Sequence, residues 1–279
     1  MSTYYYLVAG LPDIALDDGK LSYTVSSFRQ ELYPALSAED KKLVDLFYLK
    51  FDNKDLLTLL KDKDATTDAI GNFTAEELRT LISAVREGDA IDKNIPPYMA
   101  TFIEKYLTLQ PEETLRAEDL LSAEYYKYAM NAKNKFIANW FEFNLNLNNI
   151  FAALAARKYK MDLQDIIVGD SEVCTQLRTS NARDFGLNES LDYYEAVQRI
   201  ADTDELVERE KKTDLLKWKW LEDESFFNYF TIERLFVFLI QLEMIERWIS
   251  LDKESGSNLF REMIQGLKDQ VQIPEEFRK

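Results

Sequence analysis

The chain contains no histidine, 8 glycines, 6 prolines and a single cysteine in 279 residues. Each shortage removes a class of function. Without histidine there is no imidazole to move protons near neutral pH, and the usual ligand for zinc, iron and copper is missing. Ser-His-Asp, Cys-His and Glu-x-x-His arrangements are ruled out with it. No two glycines lie closer than nine residues, so neither G-x-G-x-x-G nor G-x-x-x-x-G-K occurs. The two commonest nucleotide loops are therefore excluded, and no cofactor or metal is expected. Cys174 alone cannot form an intramolecular disulfide and suits a reducing compartment. Near Glu172, Arg178 and Arg183 it is a candidate reactive thiol, with a buried structural role the favoured reading.

Acidic residues are plentiful. Fifty Asp and Glu against 34 Lys and Arg give a formal charge of −16, a field that repels nucleic acid and anionic lipid unless bases are locally segregated. The apolar run from Tyr4 to Leu11 is too short to span a bilayer, and the start lacks a positive leader segment. The dense stretch Leu235–Ile240, flanked by Glu233, Arg234, Gln241 and Glu243, reads as a buried helix. A soluble, intracellular protein is expected. Carboxylates, lysines, tyrosines and one thiol remain as possible catalysts, and a carboxylate-based enzyme stays as an alternative.

The fold class expected is all-α, with a possible short N-terminal β-hairpin where Ile14–Leu16 and Lys20–Tyr23 flank Asp17-Asp18-Gly19. Ser27-Phe28-Arg29-Gln30 and Thr74-Ala75-Glu76-Glu77 read as capping boxes. Leu78, Leu81, Ile82 and Val85 form a helical stripe after the second, and Pro97 suits a first helical position ahead of Phe102, Ile103 and Tyr106. Residues 112–168 and 187–255 contain neither Gly nor Pro, which demands long helices joined by short polar breaks, the latter around Asp202-Thr203-Asp204 and Asp223-Glu224-Ser225. Lys211, Lys212, Lys217 and Lys219 interleave with Trp218 and Trp220. Base stacking is one reading of that pattern, and a solvated helix face with one buried Trp is the favoured one. Tyr125, Tyr126 and Tyr128 suggest core grading into rim, and aromatic rims also mark protein interfaces.

A weak threefold self-similarity runs through the chain. Polar–apolar pairs at Asp55-Leu56, Asn149-Ile150 and Glu243-Met244 each follow an aromatic-rich turn, at an interval of 94 residues. Three helical repeats are expected, over residues 1–95, 96–186 and 187–279, with Leu56, Ile150 and Met244 in equivalent places.

This arrangement resembles a central-stalk family of the V/A-type ATPases, the one that includes the d subunit of eukaryotic V-ATPases. Its members have three related helical domains forming a funnel. The repeats of that family carry a helix reading roughly acid-x-x-Asn-Leu-x-x-x-x-Arg, whose polar residues hold neighbouring helices together. Asp52, Asp55, Leu56 and Lys61 fit the first copy, with Asp for Asn and Lys for Arg. Asn149 and Ile150 fit the second, with Arg157 later than the pattern asks, and Glu243, Glu246 and Arg247 fit the third loosely. The opening Tyr4-Tyr5-Tyr6-Leu7-Val8-Ala9-Gly10-Leu11-Pro12 also resembles an uncharacterised bacterial family associated with such ATPases. The resemblance implies a non-catalytic rotor subunit on the cytoplasmic face of the membrane, held there by protein contacts. Its partners would be the central shaft and the membrane ring, and its acidic surface would meet basic loops of either. A generic helical scaffold for another protein partner is the alternative.

Overall fold

The computed structural model describes residues 3–68, 70–110 and 113–270, with side chains for all of these except Leu115 and those after Asp252. The last nine residues of the expected third repeat lie outside this range. Among the described residues every regular element is helical. The order is α1 (Tyr5–Ala9), α2 (Val25–Ser27), α3 (Ala38–Lys61), α4 (Ala75–Glu87), α5 (Pro97–Thr108), α6 (Ala117–Ala129), α7 (Lys135–Tyr159), α8 (Leu163–Ile166), α9 (Glu172–Thr179), α10 (Tyr194–Ala201), α11 (Leu206–Ser225) and α12 (Ile232–Gln270). A π turn over Phe28–Leu32 and a 3-10 turn over Tyr33–Ala35 carry α2 into α3.

No β-hairpin forms near the N-terminus, which corrects that expectation. The Asp17-Asp18-Gly19 signal makes only a tight turn, in which Ala15 N donates to Asp18 Oδ2 at 2.8 Å. Its flanks are used elsewhere, since Leu16, Leu21 and Tyr23 pack against the helical core. The capping box expected at Ser27 is likewise absent. Thr24 is the N-cap, its side chain accepting from Ser27 N, so Ser27 already lies inside α2.

Most of the other boundary signals act as read. Thr74 and Glu77 form a reciprocal capping box at the start of α4, and Leu78, Leu81 and Ile82 are buried on its inner face. Pro97 opens α5, with Phe102 and Ile103 fully buried. The polar break at Asp202-Thr203-Asp204 falls between α10 and α11, whereas Asp223-Glu224-Ser225 form the last turn of α11 and the chain leaves that helix only after Ser225.

Helix α12 packs against α2, α3, α7 and α11, and this explains its apolar run. Leu235, Phe236, Val237, Phe238, Leu239 and Ile240 are all buried, so this stretch is apolar around its whole circumference because neighbours cover every side. Glu233, also buried, accepts from Asn134 Nδ2 at 2.7 Å and so ties the start of α12 to the N-cap of α7.

The long helices α3, α7 and α12 begin at Ala38, Lys135 and Ile232, an interval of 97 residues each time. Ser37 and Asn134 cap the first two by accepting from Asp40 N and Ile137 N, and Thr231 stands at the same place before the third. The interval persists downstream. Thr74 caps α4 and Ser171 caps α9, while α5 opens at Pro97 and α10 at Tyr194. The recurrence therefore runs at 97 residues, not 94. Leu56, Ile150 and Met244 occupy three different depths in their helices, the nineteenth, sixteenth and thirteenth positions.

Candidate interaction sites

Asp52, Asn149 and Glu246 are each the fifteenth residue of their long helix, and each grips backbone groups at or just ahead of the start of a shorter helix. Asp52 Oδ2 accepts from Asn72 N and Oδ1 from Phe73 N, both at 2.9 Å, just ahead of the α4 cap. Asn149 Oδ1 accepts from Val168 N at 2.9 Å while its Nδ2 donates to Val168 O at 2.8 Å, just ahead of the α9 cap. Glu246 Oε1 accepts from Val25 N at 3.1 Å, at the start of α2, so the third long helix closes onto the first repeat.

The residue type at each lock follows from the groups it faces. Two N–H donors suit a carboxylate with both oxygens free to accept. One N–H and one C=O suit an amide, which presents an acceptor and a donor side by side. Burial raises the Asp52 carboxyl to about 6, against the opposing pull of its two N–H bonds. Burial raises Glu246 as well, with Val25 N opposing and Glu243 adding to the rise.

The other motif positions separate. Asp55 is buried, and its Oδ2 has no partner among the described residues; burial raises its pKa. Lys61 is exposed in the last turn of α3 and makes no side-chain hydrogen bond or ion pair among the described residues. Arg157 donates to the carbonyls of Ser180, Ala182 and Arg183 at 2.8, 2.6 and 3.0 Å and lies 3.4 Å over the Phe185 ring, fastening the end of α7 to the segment after α9.

Glu243 and Arg247 instead enter a cavity of about 260 Å³ between α3, α6, α7, α11 and α12. There Lys50 pairs with Glu243 at 2.9 Å, and Arg247 pairs with Asp214, which also accepts from Trp248 Nε1 at 2.8 Å. Lys217 faces the same space. Burial lowers its amine pKa, Asp214 opposes that shift and Arg247 adds to it. A second, wider cavity of about 990 Å³ between α7, α10 and α11 shares Asp214, Lys217 and Arg247 with the first. A half-buried amine short of partners favours an anion beside it, because the opposite charge restores part of what burial removed.

The model of the family described as "Protein of unknown function (DUF2764)" matches residues 1–271. The chain belongs to the DUF2764 family. No curated protein and no solved structure matches it.

In this DUF2764 chain Cys174 is fully buried, with Sγ donating to Val168 O at 3.2 Å beside the Asn149 lock, which is a structural placement. Trp218 is buried and Trp220 stacks on Phe143 at 4.9 Å, while Lys211, Lys212 and Lys219 are exposed. Lys217 departs from that solvated face. Tyr125 is core, its hydroxyl donating to Leu46 O at 2.9 Å; Tyr126 is half-buried and Tyr128 exposed.

Sequence reasoning passed over one surface. Tyr5, Tyr6, Phe226, Phe227 and Tyr229 form an exposed aromatic end, with Tyr6 at 95% and Phe227 at 92% of full exposure. Tyr4 N donates to Phe230 O at 2.7 Å, which joins α1 to the α11–α12 connection. The signal was Phe226-Phe227-Asn228-Tyr229 directly after a polar helix end.

Proposed function

We propose that this DUF2764 protein is a non-catalytic coupling subunit of a V/A-type ATPase, seated between the central shaft and the membrane rotor ring. The observation that carries the reading is the 97-residue recurrence, in which three long helices each bear a polar grip at their fifteenth residue. The funnel-forming central-stalk family resembled by the sequence has three related helical domains, and its motif polar residues hold helices together. Asp52, Asn149 and Glu246 do comparable work in this chain.

The exposed aromatic end supports the same reading, because exposed Tyr and Phe clusters supply the anchors of protein interfaces. Among the described residues no helix is long and apolar enough to cross a membrane. On this reading, attachment on the cytoplasmic face rests on protein contacts with the ring and shaft.

Co-sedimentation with ATPase-containing membranes tests the reading. The chain should pellet with them at low salt. It should release progressively toward physiological salt, as screening shortens to about 8 Å and weakens the attraction between its acidic surface and basic loops. Phe227→Ser should weaken pelleting about tenfold at every salt concentration, because it removes an apolar anchor and leaves the charges alone. Failure to pellet at any salt rejects the assignment.

A further inference from the structure

We propose that the groove between α7, α10 and α11 is a docking site for an acidic amphipathic helix of a partner protein, with Lys217 and Arg209 receiving its carboxylates. This goes beyond the coupling reading and stands without it.

The first observation is charge. The groove of about 990 Å³ is lined by six bases and three acids, Asp202, Glu210 and Asp214, in a chain where acids outnumber bases 50 to 34. Bases segregated against the trend of the whole molecule mark an anion-receiving surface. Three of the six already have structural partners or opposing charge. Arg157 holds backbone carbonyls, Arg247 pairs with Asp214 and Glu210, and Lys217 feels Asp214. Lys158, Arg183 and Arg209 make no side-chain hydrogen bond or ion pair among the described residues.

The second observation is Lys217 itself. Its ammonium has three protons to donate and makes no hydrogen bond or ion pair among the described residues, although it stands on the floor where the two cavities meet. Asp214, the carboxylate acting on it, already accepts from Arg247 and Trp248. Arg247 next to it repels it. A partly dehydrated cation beside another cation costs stability, and an incoming carboxylate removes that cost.

The third observation is shape. One wall is a face of α7 from Asn148 to Tyr159, about three helical turns or ~17 Å. Along it lie the partly exposed Phe151, Ala152, Leu154 and Ala155, and Tyr159 is 68% exposed. An apolar floor with a basic rim complements a helix that is apolar on one side and acidic on the other. A free phosphate compound fits less well, because it would leave that apolar wall uncovered. The C-terminal ends of α7 and α10 border the groove and present carbonyl oxygens. That same dipole accounts for Lys158 in the last turn of α7. It does not account for Arg209, one turn into α11, where the helix end favours an acid.

The test uses the full chain and a fluorescein-labelled synthetic helix of about 18 residues (~27 Å), leucine on one face and glutamate on the other. Its twin with glutamine for glutamate is the control. Fluorescence anisotropy should give a Kd on the order of micromolar for the glutamate peptide and about tenfold weaker binding for the twin. Arg209→Glu and Lys217→Gln should each weaken the glutamate peptide about tenfold while leaving helical circular dichroism intact. Lys217→Gln should also leave thermal stability equal or higher, since it removes a desolvated charge, and this separates loss of binding from loss of folding. Several results overturn the proposal: no binding, equal binding of the twin, or binding unmoved by both variants. So does tripolyphosphate binding more tightly than the peptide at the same residues, or self-association that the same variants abolish, which would assign the groove to a second copy.

Discussion

Replacing Asn149 with Asp should cost about 3 kcal/mol of folding stability near neutral pH, roughly twice the cost of replacing Asp52 with Asn. Asn149 answers one donor and one acceptor on Val168, so a carboxylate there turns an oxygen toward Val168 O and buries an uncompensated charge. Asp52 answers two donors, so an amide keeps one bond and sets its NH₂ against the other N–H. Asn148→Asp, one residue away on the exposed side of α7, should change stability by less than about 0.5 kcal/mol.

The pH dependence identifies the cause. Once protonated, the carboxyl introduced by Asn149→Asp can donate to Val168 O and accept from Val168 N, so the penalty of that substitution should shrink as pH falls. Asp52 sits at about 6 in the folded chain, above its ordinary 3.8. Between those values the folded state holds a proton that the unfolded chain releases, so stability falls as pH rises through that window. Wild type should therefore gain on Asp52→Asn as pH drops. Urea midpoints for the three proteins at about pH 7.5 and about pH 5 measure both trends. A pH-independent gap in either pair contradicts the assignment.

Gly71→Ala should be comparably damaging, at about 2–4 kcal/mol. A Cβ at Gly71 meets Asp52 Oδ1 at 2.1 Å, Asp52 Cγ at 2.6 Å and Asp52 N at 3.1 Å. The carboxylate can escape only by releasing Asn72 N and Phe73 N. Gly19→Ala is the matched control, because its Cβ meets nothing within 4 Å. On an Asp52→Ala background the Gly71→Ala penalty should fall by more than about 1 kcal/mol, since most of the clash has gone. Thermal denaturation of the four proteins of the cycle checks this, and strict additivity contradicts a direct clash.

Local signals carried the helical outline into the sequence. Thr74 with Glu77, Pro97 and the polar break near Asp202 each act within a few residues of chain, so their meaning survives without the fold. The grips do not work that way. Asp52, Asn149 and Glu246 differ in type because the backbone groups opposite them differ, and those groups lie 20, 19 and 221 residues distant. The polar–apolar pairs after the aromatic turns suggest 94 residues, while the helix starts at Ala38, Lys135 and Ile232 fix the interval at 97. Lys217 was hidden for a related reason. Beside Lys211, Lys212 and Lys219 it reads as one more solvated lysine, and only the packing of α11 against α7 and α12 turns it into the cavity. The aromatic end was legible in composition but not in consequence, since exposure depends on what stands opposite Phe226 and Phe227.

Coupling is the central claim, and it is measured most directly as ions pumped per ATP hydrolysed in membranes bearing the enzyme. Washing the chain off and adding it back should leave hydrolysis running in both states while ion pumping is lost and then restored. Pumping that continues unchanged in membranes free of the chain would contradict the account.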